Sequence, residues 1–121
     1  MNLLSDNYLE KQKELVEETK WIDDIIENSL CCVICFYHDN PLILEKHHIA
    51  GKNNSNFTIT VCPICHRILS NKQSSWNNDW NNEDNSIEMK IAFYLKGRSE
   101  VLKLMAEHDK EISDKILNGD G

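Results

Sequence analysis

Two Cys-x-x-Cys pairs, Cys32 with Cys35 and Cys62 with Cys65, are the residues of this chain best suited to chemistry. Each pair delivers two thiolates from one tight turn to a common point, and two such pairs make the ligand set of a tetrahedral zinc ion. A four-sulfur site has no use for the histidines beside it. His47 and His48 lie in Leu44-Glu45-Lys46-His47-His48-Ile49-Ala50-Gly51, and His66 follows the last cysteine directly. Neutral imidazole is a metal ligand near neutral pH, so these three residues suit a second metal outside the cysteine cage. The plainer alternative is a four-Cys binding or scaffold module in which the three histidines are ordinary polar residues.

The elements that must position these groups follow from local pattern. Asp39-Asn40-Pro41 signals a turn, residues 42 to 46 suit a strand, and residues 51 to 56 form a polar loop opened by a glycine. The β-branched run 57 to 61 suits a second strand. Pro63 then falls at a first helical position, and residues 64 to 69 read as a short helix. Residues 31 to 73 are therefore expected to form a ββα unit stapled by zinc. In an antiparallel unit of that kind the end of the first strand, with His47 and His48, faces the helix start, with His66. A unit so small buries too little apolar surface to fold alone, and a structural zinc supplies on the order of 10 kcal/mol.

The flanks are helical in pattern, so the expected fold is α+β, mostly helical, in a single domain over residues 1 to 121. Residues 5 to 28 carry a broad apolar stripe that can be capped by Ser5 or Asp6, making residues 1 to 30 an N-terminal helical segment. Residues 74 to 85 read as a polar linker whose Trp76 and Trp80 pin it to its own domain. Residues 86 to 118 read as C-terminal helices that pause at Gly97 and end at Asn118-Gly119. Cys31 is left as a spare buried thiol, and His38 and His108 as bystanders.

Charge bears on partners. The formal net charge is −7. Residues 1 to 30 hold three Lys against eight acids and residues 76 to 121 six bases against ten acids, whereas residues 31 to 75 hold four bases against two acids. Acidic flanks thus bracket a locally positive motif. DNA-binding surfaces are normally basic, so weak non-specific affinity for DNA is expected, along with a homodimer or larger complex through the acidic helical flanks. No apolar run approaches the roughly 20 residues of a membrane span, and the start has neither a basic nor an apolar leader region. A cytoplasmic protein with reduced thiols is the expectation.

Taken together, Cys-x-x-Cys, Glu-x-His-His-Ile, an Asn-bearing loop, a β-branched strand and Cys-x-x-Cys-His resemble the HNH endonuclease family, the ββα-metal nucleases with a treble-clef-like zinc staple. The likeness covers residues 32 to 73 and leaves the helical flanks outside it. It implies a DNA-cleaving hydrolase. By the family pattern His48 is the general base, His47 and His66 hold one catalytic divalent cation (Mg²⁺, Mn²⁺, Ni²⁺ or Zn²⁺), and Cys32, Cys35, Cys62 and Cys65 hold the structural zinc. Arg67 would neutralise a phosphate oxygen. The chain departs from the pattern at the middle asparagine, whose usual place is taken by Phe57. Asn56 is the nearest candidate to hold the catalytic loop and Asn54 the next. Where a further histidine often follows, Ser70 and Asn71 stand, and Asn71 offers an oxygen.

Overall fold

The computed structural model describes residues 6–20, 23 and 29–119. Its order is helix α1 (Asp6–Thr19), a 3-10 turn (Pro41–Ile43), strand β1 (Glu45–His48), strand β2 (Thr58–Val61), helix α2 (Pro63–Gln73) and helix α3 (Ile87–Leu117). The three helices hold 14, 11 and 31 residues, so the protein is α+β and about half helical. Of the expected continuation of the first helix past residue 20, only Asp23 is described, in helical conformation; the Ser5 cap lies outside the described residues.

The two strands pair antiparallel, with Glu45 opposite Val61, Lys46 opposite Thr60, His47 opposite Ile59 and His48 opposite Thr58. β1 starts later than the apolar run suggested. Asn40 accepts a hydrogen bond from the Leu42 amide and Pro41 takes the first helical position, which winds residues 41 to 43 into a 3-10 turn and leaves Leu42 at 93% exposure. α2 begins where the proline predicted it, and Cys62 is its N-cap, its sulfur accepting from the Cys65 amide. α2 runs to Gln73, longer than the short helix expected.

α3 does not pause at Gly97. It is one helix of 31 residues, begun by Ser86, whose hydroxyl accepts from the Met89 amide. Glycine serves close packing here: a Cβ at Gly97 would lie 1.8 Å from the Ile49 carbonyl oxygen. The helix backbone therefore rests directly on the residue after His48. Phe93, Tyr94, Gly97 and Val101 of α3 are buried, and every described residue from Asp109 onward is exposed. The core on which α3 lies contains Ile49, Ile59, Val61, Leu69 and Cys32, with Val16 of α1 at its edge.

The tryptophan segment is pinned as expected, by a more extensive set of contacts than its composition suggested. Trp76 is buried and stacks on Phe93 (centroids 5.6 Å, 16°), Trp80 meets Trp76 edge-on at 5.0 Å, and Trp76 Nε1 donates to Glu100 at 2.8 Å. Gly51, with φ +86°, admits Trp80 so closely that a Cβ would fall 2.3 Å from its ring. Among the described residues no helix is long and apolar enough to cross a membrane.

Candidate metal centre and histidine cluster

The sulfurs of Cys32, Cys35, Cys62 and Cys65 lie within 4.8 Å of one another, and Cys35 Sγ and Cys62 Sγ are 3.7 Å apart. Four thiolates about 2.3 Å from a central zinc would be separated by about 3.8 Å, so the cluster has the dimensions of a tetrahedral site. Backbone amides point at its sulfurs, Cys35 N to Cys32 Sγ at 3.5 Å and Cys65 N to Cys62 Sγ at 3.4 Å. The first knuckle is tied to the sheet through Val33 N to Thr60 O at 3.0 Å. Its turn closes with Cys32 N donating to Tyr37 O, which sets Phe36 in the left-handed region at φ +64°. That conformation costs a bulky residue roughly 1–2 kcal/mol, and the Phe36 ring meets His108 edge-on at 5.0 Å. Cys31 stays outside the cluster; it is half-buried, 3.3 Å from Ser29 Oγ.

The thiols do not ionise alike. Burial works to raise Cys32, yet the backbone N–H groups of Cys35, Cys62 and Ile34 outweigh it and lower this thiol. Burial pushes Cys35 up to about 11. Cys65 is raised too, by burial first and then by the charge of Cys32. Four thiolates cannot share this space without a cation, and a divalent ion is the species that would drive the remaining protons off. Among the described residues these four cysteines are the group of three or more ligands that could hold a metal.

Two of the histidines, His47 and His48, lie on β1, and His66 lies in the first turn of α2. His47 is buried at 4% exposure and its ring meets that of His66, from the first turn of α2, at 5.1 Å and 68°. Burial lowers His47 to about 4, helped by His66 and His48, so its imidazole is neutral at physiological pH. His66 Nδ1 donates to Glu45 Oε1 at 2.9 Å. A carboxylate only accepts, so this bond leaves the lone pair of a neutral His66 on Nε2. Glu45 and His47 are two residues apart in β1 and so share a face. That alternation was the sequence signal for Glu45, which pattern reading quoted without giving it a role. His48, the last residue of β1, is half-buried; among the described residues the ring contacts join His47 to His66 and do not include it.

The loop after His48 is held by side-chain amides. Asn54, buried, donates from Nδ2 to Ala50 O at 2.8 Å and to Trp80 O at 2.7 Å, while its Oδ1 accepts from Asn85 Nδ2 at 2.9 Å. Asn56, expected to do this work, is exposed, and the bonds to the loop belong to Asn54. Asn81 adds a pair of bonds to Asn53. Gln73, which no motif pointed to, donates to His48 O and Ile49 O. Arg67 and Asn71 are both exposed on α2. No family model, curated protein or solved structure matches the chain.

Proposed function

We propose that this protein is a small metal-dependent endonuclease of the HNH type that hydrolyses DNA phosphodiester bonds. The observation that carries the reading is the neutral, buried His47 set against His66 beside a four-thiol cluster, with His48 next in the strand. A zinc-stapled scaffold has no need of that arrangement.

The roles are those the resemblance to the HNH pattern implies, and the chemistry of the groups suits them. His48 takes a proton from a water molecule, and the resulting hydroxide attacks phosphorus in line with the departing 3′-oxygen. His47 and His66 are the residues that would hold a divalent cation, and Glu45 fixes the ring of His66 so that Nε2 remains available. Such a cation, when bound, supplies Lewis-acid stabilisation of the charge that builds on the phosphoryl group. Asn54 secures the turn that follows His48, and Arg67, exposed on α2, is free to approach a phosphate. One site cuts one strand, so a double-strand break requires a second copy or a second visit.

The acidic helical flanks motivate a second reading, a zinc-stapled module that binds nucleic acid or a protein partner without cutting. Nicking of supercoiled plasmid in Mg²⁺, Mn²⁺, Ni²⁺ or Zn²⁺ separates the two. The wild type is expected to nick with at least one cation, and His47→Ala and His66→Ala to lose at least tenfold in rate while keeping the structural zinc. DNA binding with no nicking in any cation would leave the second reading standing.

A further inference from the structure

Gln73 is the last residue of α2 and is buried. Its Nε2 donates to two consecutive backbone carbonyls, His48 O at 2.8 Å and Ile49 O at 3.1 Å. His66 stands seven residues earlier, two helical turns, and so on the same side of α2. The helix therefore meets β1 at both ends: His66 reaches Glu45 and His47, and Gln73 reaches the backbone of His48.

The peptides after His48 are gripped from three directions. Ile49 O also receives the bare backbone of α3 at Gly97, and Ala50 O is taken by Asn54. The other bond to His48 O, from the Gly51 amide, is longer at 3.3 Å. Among the described residues Gln73 is the side chain that bonds the carbonyl of His48 itself. A buried carboxamide is costly unless bonded, so its placement against these two oxygens is specific.

We propose that Gln73 is a positioning residue for His48: its forked bond fixes the backbone from which the imidazole projects and couples it to the helix that carries His66. The catalytic consequence rests on the endonuclease reading; the positional one does not. A displacement of about 1 Å at a reacting group costs on the order of 10²-fold in rate, which sets the scale of the effect.

The test uses the zinc-loaded full chain as wild type, Gln73→Met, which keeps length and loses the donor, and Gln73→Glu, which turns a carboxylate on the two carbonyls. Val16→Ala in α1 serves as a control for lost stability, with melting temperatures measured alongside. Ring and backbone NMR resonances of His48 are expected to shift or broaden in both Gln73 variants and to stay in place in Val16→Ala. Plasmid nicking is expected to lose roughly 10–100-fold in kcat in Gln73→Met, with KM changed less than twofold, and at least as much in Gln73→Glu. Resonances of His48 that superpose on the wild type in Gln73→Met overturn the proposal whatever the activity. So does a Gln73→Met kcat equal to that of Val16→Ala in a wild type that cuts. If the wild type does not cut at all, the endonuclease reading falls and the resonances still decide whether Gln73 positions His48.

Discussion

At the scale of single residues, burial sets His47 apart from the other histidines of the motif. His47 is held near 4 by burial first and by its two histidine neighbours second, so it keeps a free lone pair where an ordinary histidine would begin to protonate. That depression has a thermodynamic consequence. Between pH about 6.5 and about 4 the unfolded chain binds a proton at this site that the folded chain refuses, so stability is full above the unfolded value and falls as pH drops through that window. The expected contribution is ~2 kcal/mol after allowance for solvent screening. Urea unfolding of wild type and His47→Asn at pH 7 and pH 4.5 checks it: the wild type should lose more stability between the two pH values than the variant, by that amount. The four-cysteine cluster was legible, because two Cys-x-x-Cys pairs carry their chemistry in their spacing. The supporting residues were less so. Asn54 and Asn56 are equally plausible by composition, and only the position of Trp80 O and Ala50 O makes Asn54 the one with bonds to make. Gln73 gave no signal, since a glutamine at a helix end is unremarkable until its partner strand is in place.

At the scale of elements, local pattern predicted types well and boundaries poorly. The cysteine cluster, β2 and the start of α2 fell where the Cys pairs, the β-branched residues and Pro63 placed them. The start of β1 did not, because the capping chemistry of Asn40 and Pro41 overrode an apolar run. Gly97 misled for a related reason: its helix propensity is poor by about 1 kcal/mol, but tertiary packing against the Ile49 carbonyl makes the missing side chain a requirement. Gly97→Ala should therefore do the opposite of what helix propensity implies. A Cβ there forces α3 off the Ile49 peptide that follows β1, and equilibrium unfolding should show a loss of about 3 kcal/mol or more. An unchanged or raised midpoint would mean that α3 does not pack on the Ile49 peptide at this point. By contrast, the exposed end of α3 bears little of the core. Truncation after Asp109 should leave zinc content unchanged and shift the melting temperature by only a few degrees, since the buried residues of the helix end at Val101.

For the whole molecule, metal binding at the four-cysteine cluster is expected to be coupled to folding. The cluster Cys32, Cys35, Cys62 and Cys65 ties the knuckle, β2 and α2 to one point, and its sulfurs cannot ionise together without a cation. Removal of the ion by a strong chelator should abolish the cooperative unfolding transition and the near-ultraviolet signal of Trp76 and Trp80, and one equivalent of Zn²⁺ should restore both. Cys62→Ser should behave like the chelated protein even with zinc present, because it removes a thiolate from the cluster while the serine hydroxyl can still cap α2. Charge acts at the same scale. With −7 overall, affinity for DNA should be weak and should fall with salt only as steeply as the few cations near residues 46 to 72 allow. The endonuclease reading itself turns on His48. Purified wild type and His48→Ala, each with its zinc content measured, are compared for nicking of supercoiled plasmid in the best cation. The account predicts that the variant loses at least about 10²-fold in rate while holding one zinc per chain; equal cutting by the two, or no cutting by either in any cation, would contradict it.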